Sequence, residues 1–273
     1  MAEKRKLGII AGNGTLPNAV IKACRQEKRP VFVLGLKGHA DPALLQENEG
    51  AFIRLGSVGR AIRLFRRAGV QDIVFIGGVR RPSVAEILPD FKGLCMLVKV
   101  GFRLLGDNQL LSILLAEAEH QGFTVVGVDQ LVPGLVAPEG VYGNVAPSIK
   151  DWEDIRHGVQ VAKILGQADV GQAVIVQRGL VLSVEGIEGT AELIRRTAAL
   201  KRKGAGGVLV KVAKPQQDRR VDLPTIGPQT VQAICDAGFK GIAIEAGSAL
   251  LAGADQTIAL ADKLGIFIVG VRE

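Results

Sequence analysis

The sequence predicts an α/β protein with a Rossmann-like N-terminal domain built on a parallel sheet and a distinct C-terminal α/β domain. Three observations predict this fold class. Short apolar runs alternate with helical patterns along the first half of the chain. Glycine turns follow two of those runs, at 12–14 and at 77–82. The chain has 273 residues, which exceeds the usual size of one domain, roughly 100–150 residues.

The composition is that of an ordinary folded protein. Apolar residues make up 48% of the chain and charged residues 22%. The three cysteines are far apart and odd in number, which indicates small core residues in a reducing compartment. The residues before Gly12 form no signal-peptide pattern, and no stretch reaches ~20 apolar residues. We therefore expect a cytoplasmic protein.

The net charge of +7 favours anionic partners. Such partners are nucleic acids, anionic membrane surfaces and phosphorylated substrates. Aromatic residues are only 4% of the chain, whereas proteins that bind single-stranded nucleic acids stack the bases on aromatic side chains. A nucleic-acid-binding function rests on net charge alone, and we expect no nucleic acid among the partners.

The first half of the chain alternates strands and helices. Strands are predicted at 7–11, 31–36, 51–55, 72–76 and 123–128, and helices at 17–28 and 57–68. The second helix is basic and carries Arg60, Arg63, Arg66 and Arg67. In a parallel sheet, ligands lie outside the carboxyl ends of the strands. Both glycine loops follow such ends, so we expect the two loops to act together.

The loop Gly12-Asn13-Gly14 has two interpretations that the sequence leaves open. It matches G-x-G but lacks the third glycine of a dinucleotide fingerprint, because Pro17 stands at that position. Either its backbone approaches a phosphate at the start of the following helix, or its glycines only make a tight turn between strand and helix.

A helical pattern at 91–105 separates the fourth and fifth strands. Its apolar positions are Phe91, Leu94, Cys95, Val98, Phe102 and Leu105, and its basic positions are Lys92, Lys99 and Arg103. The apolar stripe either faces the core or lies on a membrane surface, and both interpretations stay open here. Another helix starts at Gly106-Asp107-Asn108, with Asp107 as its candidate cap.

The regular pattern stops between 131 and 148, where prolines and glycines indicate a linker. We therefore expect an N-terminal domain at 1–130 and a C-terminal domain at 149–273. In the latter, helices are predicted at 152–165, 190–203, 228–237 and 255–264, and strands at 173–176, 180–184, 207–212, 241–245 and 266–271. The tripeptide Gln177-Arg178-Gly179 indicates a hairpin between two of these strands.

The stretch 211–228, KVAKPQQDRRVDLPTIGP, is the most informative part of the chain. Its charged residues are Lys211, Lys214, Asp218, Arg219, Arg220 and Asp222. Carboxylates can hold Mg²⁺, and fixed cations can neutralise phosphate oxygens. The alternative is a solvated charged loop. Three prolines stiffen the stretch and apolar residues surround its charges, which favours a functional loop.

Other motifs narrow the chemistry. The histidines, His39, His120 and His157, are isolated, which argues against a two-metal phosphoesterase. The chain contains no HExxH, CxxC, GxSxG or P-loop sequence. Carboxylates, lysines and arginines remain, and they suit metal-assisted phosphoryl transfer to water.

The string GGVLVKVAKPQQDRRVDLPTIGP at 206–228 resembles the signature of the UDP-2,3-diacylglucosamine pyrophosphatases of lipid A biosynthesis, the LpxI type. Other stretches agree: LGIIAGNGTLP at 7–17, GGVRRP at 77–82, GQAVIVQRGLVLSVEGIEGT at 171–190 and GIAIEAG at 241–247. The resemblance covers both halves of the chain, and the 206–228 motif is long and specific.

This resemblance implies a Rossmann-like domain followed by a distinct C-terminal α/β domain. It also implies an enzyme that uses Mg²⁺ to hydrolyse the pyrophosphate of UDP-2,3-diacylglucosamine, giving UMP and 2,3-diacylglucosamine 1-phosphate (lipid X). The family's essential aspartate corresponds to Asp222, either as a metal ligand or as a base. One departure is visible, because relatives often read GDD where this chain has Gly106-Asp107-Asn108.

The motifs and the resemblance together select the candidate site residues. The catalytic candidates are Asp222, Asp218, Lys211, Lys214 and Arg220, and the Mg²⁺ ligands among them are Asp222 and Asp218. The substrate-binding candidates are Gly12, Asn13, Gly14, Gly78, Arg81, Asp107, Glu188, Gly189, Thr190, Thr225 and Glu245.

The implied substrate and product are lipids, so the resemblance implies peripheral contact with the inner membrane, near Lys92, Lys99 and Arg103. A homodimer is compatible with it. The alternative function is a non-catalytic module that binds a nucleotide sugar, which the Rossmann-like half would support. The charged stretch 211–228 argues against that alternative, because a binding module needs no metal-suited acids beside phosphate-suited cations.

Overall fold

The structure, a computed structural model, describes residues 4–79, 90–94, 107–204 and 206–272. The chain divides into two compact units. Unit 1 comprises Met1–Pro133 together with Asp218–Asp222, and unit 2 comprises Gly134–Gln217 together with Leu223–Glu273. The segment 218–222 therefore belongs to unit 1, although both of its flanks belong to unit 2.

The described part of unit 1 is built on a parallel sheet of five strands in the order β3-β2-β1-β4-β5. These strands are β1 Leu7–Ala11, β2 Val31–Leu36, β3 Gly50–Ile53, β4 Asp72–Ile76 and β5 Thr124–Val125. The chain runs outward from β1 through β2 to β3 and then returns to the other side of β1 as β4. The strand order therefore reverses between β1 and β4, as in Rossmann-like folds.

The fifth strand is shorter than predicted. The ladder ends at Val126, whose N–H donates to the Ile73 carbonyl at 2.9 Å. Gly127 then has an extended backbone and forms the N-cap of a short helix, Val128–Leu131. The apolar run at 123–128 therefore supplies both the end of a strand and the buried start of a helix.

Helices cover the unit 1 sheet. They are α1 Leu16–Gln26, α2 Val58–Arg67, α3 Asp107–His120 and α4 Val128–Leu131, and residues 91–94 form a further helical turn. Phe65 of α2 is 1% exposed and contacts Phe32 and Phe123 edge to face. The same core holds Leu115 and Ala118 of α3. The predicted helical stripe beyond residue 94 lies outside the described residues.

The described part of unit 2 contains a mixed sheet of six strands in the order β6-β13-β11-β9-β7-β8. The strands are β6 Gly140–Tyr142, β7 Ala173–Gln177, β8 Leu180–Val184, β9 Val208–Lys211, β11 Gly241–Glu245 and β13 Phe267–Val271. The central strands β9, β11 and β13 are parallel, and β6 and β7 pair antiparallel to their neighbours. A separate parallel pair joins β10 Thr225–Ile226 to β12 Leu250–Leu251.

The predicted hairpin joins β7 to β8 through Arg178 and Gly179. Both residues have positive φ, 54° and 73°, which is the geometry of a type I′ turn. The backbone N–H groups of the turn donate to the buried carboxylate of Asp154, at 2.9 Å from Arg178 and 2.6 Å from Gly179. A side chain of the neighbouring helix therefore supports the turn.

Helices lie on both faces of the unit 2 sheet. They are α5 Ile149–Gln167, α6 Thr190–Thr197, α7 Pro228–Asp236 and α8 Ala254–Leu264. Val208 and Val210 of β9 share a core with α5, whereas Leu209 between them shares a core with α6, α7 and α8. This alternation explains why β9 is apolar on both faces. The predicted α/β class, with a parallel N-terminal sheet and a distinct C-terminal unit, is confirmed.

The described helices include none with the length and apolar character needed to cross a membrane.

Candidate active site

The two glycine loops of unit 1 lie side by side where the strand order reverses. One follows β1 and the other follows β4, and these strands are neighbours in the sheet. Asn13 and Gly78 exchange backbone hydrogen bonds of 2.8 and 3.0 Å. A Cβ atom on Gly12 would collide with the Gly78 carbonyl oxygen, so the close approach requires glycine there. The structure therefore brings together the sequence-predicted residues of both loops that it describes, and Arg81 lies outside the described residues.

The start of α1 is open beside these loops. Gly14 has φ +95° and is exposed, and its missing side chain leaves open space. Thr15 occupies the N-cap position, but its side chain makes no capping hydrogen bond. Exposed N–H groups at a helix N-terminus are a favourable place for a phosphate. The loop is thus both a tight turn and a surface that a phosphate can approach.

The segment 218–222 forms a turn that an arginine braces. The Asp218 carboxylate accepts hydrogen bonds from Arg220 Nε at 3.0 Å and Nη2 at 2.7 Å, and from the Arg220 backbone N–H at 3.0 Å. Arg220 Nη1 donates to Glu119 of α3 at 2.6 Å. The Arg220 guanidinium holds the pKa of Asp218 below its usual range, and its two carboxylate partners raise the pKa of Arg220. The turn is therefore tied to α3 through charged hydrogen bonds.

Asp222 ends this turn. Its backbone N–H donates to the Asp218 carbonyl at 3.4 Å, and its side chain is half-buried. Val221, just before it, packs against the core of unit 1. Arg219 is exposed. The structure thus groups Asp218, Arg220 and Asp222 within one braced turn.

The carboxyl ends of β9 and β11 in unit 2 hold a lysine and a glutamate. Lys211 is 8% exposed, and its Nζ donates to the Thr225 carbonyl at 3.1 Å. Glu245 accepts from Lys163 Nζ and from the Ala213 N–H, both at 2.8 Å. The strands β9 and β11 are neighbours, so the sheet brings Lys211 and Glu245 to the same end, and the Lys211 hydrogen bond places Thr225 beside Lys211. Lys214 instead forms an ion pair with Asp169 at 2.8 Å.

The loop before α6 contains the candidates at 188–190. Glu188 is exposed, and its pKa is lowered by a hydrogen bond from its own backbone N–H and by the ion pair with Arg196 at 2.8 Å. Gly189 has φ +80° at the start of the helix. The Thr190 hydroxyl donates to the buried carboxylate of Glu185 at 2.5 Å. These residues form a local network within unit 2.

Family models match both units of the chain. The LpxI N-terminal domain matches residues 6–135, and the LpxI C-terminal domain matches residues 138–269. The chain belongs to the LpxI family. A relative from Caulobacter vibrioides (strain ATCC 19089 / CIP 103742 / CB 15), named UDP-2,3-diacylglucosamine pyrophosphatase LpxI, is 39% identical over 275 residues. The match covers 98% of each of the two chains, and the resemblance inferred from the motifs is confirmed.

Two solved structures share far less with this member of the LpxI family. A biotin carboxylase subunit of pyruvate carboxylase is 14% identical, with a TM-score of 0.27, over 70% of this chain and 39% of its own. An isoflavone reductase is 13% identical, also with a TM-score of 0.27, over 99% of this chain and 80% of its own. Likenesses this weak carry no argument about the function of the LpxI family.

Three residues that bind the candidate site residues of this LpxI chain could not be recognised from the sequence. Glu119 binds Arg220 from 101 positions away, and Lys163 binds Glu245 from 82 positions away. Glu185 is 5% exposed, and it also accepts from the Gln172 N–H at 2.9 Å. Its only signal in the sequence is an acid directly after an apolar strand. The other two residues are single charges on helices, and they carry no local signal.

The donor set of this LpxI chain suits one kind of metal site. The described residues contain no group of three or more His, Cys, Asp or Glu side chains that could hold a metal ion. Magnesium is commonly held by one or two carboxylates together with substrate phosphates and water. Asp218 and Asp222 lie in one turn and are the carboxylates that such a site would use, and Arg220 already donates to both oxygens of Asp218. Asp107 begins α3.

Proposed function

We propose that this chain hydrolyses the pyrophosphate bond of UDP-2,3-diacylglucosamine with Mg²⁺, releasing UMP and 2,3-diacylglucosamine 1-phosphate in lipid A biosynthesis. One observation carries the proposal: the match of 39% identity over 98% of both chains to a relative that is named for this activity. The LpxI C-terminal domain also matches the stretch 211–228, where acids and cations stand together. The braced turn at 218–222 supports the same reaction.

We assign the central chemical role to Asp222. Both oxygens of Asp218 are engaged by Arg220, so Asp218 serves first to orient that guanidinium. Asp222 follows it in the same turn, where its carboxylate would accept a proton from the attacking water or hold the metal. Bound Mg²⁺, held by Asp222 and Asp218, would polarise a phosphoryl oxygen and neutralise charge on the pyrophosphate.

Lys211 and Arg220 would compensate the charge that develops on the pyrophosphate. Nearly all catalysis of phosphoryl transfer is positioning and electrostatic stabilisation, so fixed cations matter more than a covalent nucleophile. Lys211 is buried and oriented by the Thr225 carbonyl, which fixes its ammonium group. Lys214 is paired with Asp169, so we give it a smaller share of this role.

The remaining candidates would bind the substrate outside the reacting bond. The backbone of Gly12, Asn13, Gly14 and Gly78 would approach a phosphate at the start of α1. Thr225 and Glu245, with the network at Glu188, Gly189 and Thr190, would contact polar groups of the substrate in unit 2. Arg81 and Asp107 stay candidates for the same role.

The test is turnover of UDP-2,3-diacylglucosamine with Mg²⁺, measured as UMP and lipid product. Asp222→Ala should lower turnover on the order of 10²-fold or more, the scale of a positioned acid–base or electrostatic group, while substrate still binds. Asp222→Asn is nearly isosteric, and it should be almost as damaging if the charge of the carboxylate is what matters. The matched control is Arg219→Ala, which alters an exposed neighbour in the same turn.

Thermal melts of the variants show whether they fold. Near-normal turnover in a well-folded Asp222→Ala protein would mean that the chemistry lies elsewhere. Loss of turnover on chelation, restored by added Mg²⁺, is expected for the metal-dependent reaction. Full turnover in the presence of a chelator would contradict the role of the metal.

One observation favours a second candidate, a binding module for a nucleotide sugar. The two glycine loops meet where the strand order reverses, which is the usual ligand position of Rossmann-like sheets. Tight binding of the UDP sugar without release of UMP, at any metal concentration, would select this alternative.

A further inference from the structure

A basic cleft lies on the outer side of α2 in unit 1. It encloses about 350 Å³ and is lined by Arg63, Arg66, Lys92, Phe91, Asp90 and Gln121, among others. None of its described lining residues belongs to the glycine loops or to the turn at 218–222. None of the roles proposed above uses it.

The helix beside this cleft carries positive charge on one face. Its four arginines, Arg60, Arg63, Arg66 and Arg67, are all exposed. At about 100° per residue they fall within an arc of about 120°, and the helix contains no acidic residue. Among the described residues, Arg60, Arg63 and Arg67 form no ion pair with a carboxylate. Arg63 acts on the nearby Asp90 carboxylate and contributes to lowering its pKa, so the positive charge of this face is only partly compensated.

The acids near the cleft are engaged in other contacts. Asp90 accepts from the backbone N–H groups of Arg60 and Gly93, each at 2.9 Å. Burial opposes the ionisation of Asp90, but these backbone hydrogen bonds lower its pKa overall. Glu117 of α3 is paired with Lys92 at 2.6 Å. Asp90 thus fastens the turn at 91–94 to the start of α2, beside the arginines.

Two apolar side chains of the turn at 91–94 are exposed to solvent. Phe91 is 84% exposed and Leu94 is 45% exposed. Large apolar residues beside a row of arginines form the pattern of a membrane-interface surface, in which cations meet anionic headgroups and apolar side chains enter the acyl boundary. A surface for single-stranded nucleic acid would instead present a series of stacking aromatics.

We propose that the α2 face, defined as Arg60, Arg63, Arg66 and Arg67 with Phe91 and Lys92, docks on an anionic phospholipid bilayer. This inference rests on the proposed function in one respect, because a diacylated substrate resides in a bilayer. Charge complementarity supplies the attraction, and Phe91 enters the interface. The docking surface thereby differs from the glycine loops that are proposed to approach a phosphate.

The test is sedimentation of the full chain with phosphatidylcholine vesicles, with and without phosphatidylglycerol, in the absence of substrate. Each basic residue near an anionic surface contributes about fivefold to affinity, so Arg63→Gln with Arg67→Gln should weaken binding about 25-fold at low salt. Phe91→Ser should weaken the binding that survives at high salt, where the charges are screened.

A matched control removes the same charge elsewhere. Lys22→Gln with Lys28→Asn also lowers the net charge by two, at exposed residues of α1 and its C-terminal turn. Asparagine suits position 28 because Lys28 has φ +55°. The β1–β2 and β3–β4 connections run in opposite directions along the sheet, so right-handed crossovers place α1 and α2 on opposite faces. The control should therefore bind vesicles nearly as the unaltered chain does.

Each outcome decides the proposal. Equal weakening by the two double variants would mean that net charge alone drives binding, and it would overturn the assignment of a surface. Normal vesicle binding by the α2 double variant would also overturn the proposed docking surface. So would a variant that binds vesicles normally but no longer binds an RNA probe. UMP release from detergent-dispersed substrate is measured separately. A chain that releases UMP without binding vesicles contradicts only the docking surface, and one that binds vesicles through α2 without releasing UMP contradicts only the enzyme.

Discussion

Replacing Arg220 by Gln should separate a direct role on the phosphate from a supporting role in the turn. Arginine carries five N–H donors. Three of them are engaged, since Nε and Nη2 donate to Asp218 at 3.0 and 2.7 Å and Nη1 donates to Glu119 at 2.6 Å. Within the contacts of the described residues, two N–H groups remain for a phosphate oxygen.

The supporting role and the direct role of Arg220 differ in the free energy that each would contribute. The side chains of Arg220 and Glu119 are 36% and 47% exposed, so their ion pair contributes about 0.2–1 kcal/mol. A donor aimed at developing charge contributes about 3–4 kcal/mol to the transition state. Arg220→Gln should therefore lower kcat/KM on the order of 10²–10³-fold. Glu119→Gln, which removes only the outer ion pair, should lower it at most about fivefold.

The assay is steady-state release of UMP by both variants, with Arg219→Gln as the control for charge in the same turn. Thermal melts should fall by only a few degrees, because about 1 kcal/mol shifts the melting temperature of a protein of this size by roughly 2–4 °C. If Glu119→Gln loses as much activity as Arg220→Gln, then Arg220 acts only by holding the turn. If Arg220→Gln is nearly as active as the unaltered chain, its charge does not act on the reaction.

Two further predictions concern unit 2. Asp154 is 3% exposed, so Asp154→Ala leaves the N–H groups of Arg178 and Gly179 without their acceptor and should destabilise unit 2 by about 3 kcal/mol. Urea unfolding of unit 2 can be followed by the fluorescence of Trp152, the single tryptophan. An unchanged urea midpoint in the Asp154→Ala variant would contradict the prediction. Burial raises the pKa of Tyr142, the single tyrosine, to about 12, so its absorbance should titrate well above the value of 10.0 expected in denaturant. The pKa of Tyr142 is higher in the folded chain than in the unfolded chain, so the stability that comes from burying the neutral phenol is present below pH 10 and is lost as the pH rises toward 12. A titration midpoint near 10 in the folded chain would contradict this prediction.

Long apolar strands could be predicted from the sequence, and short ones could not. The bounds of β1, β2, β4 and β11 agree with the predicted ranges, because each is a mostly apolar segment of five or six residues that ends at a turn. The strands β10 and β12 have two residues each, too few for any alternation to appear. They exist only because residues 25 positions apart along the chain come together.

In the candidate site, too, contacts between near neighbours in the sequence could be predicted and contacts between distant residues could not. The pairing of Asp218 with Arg220 joins residues two positions apart, and a charged motif predicts such a contact. The pairing of Lys214 with Asp169 joins residues 45 positions apart, and no local pattern indicates it. From the sequence alone, Lys214 is a candidate to bind the substrate, but in the fold it is already paired with Asp169. Tertiary contacts therefore decide which cations stay available for the substrate.

Residues 218–222 belong to unit 1 although their neighbours in the sequence belong to unit 2, and this restricts how the chain can be divided or recombined. The chain passes from one unit to the other at 133/134, at 217/218 and at 222/223. A truncation after residue 133 would leave unit 1 without Val221 in its core and without Arg220 opposite Glu119. A chimera that joins the first half of one relative to the second half of another must match both ends of that ion pair and both sides of that packing. The two halves are therefore expected to vary together, and the whole chain, rather than either half, is the part that can be exchanged.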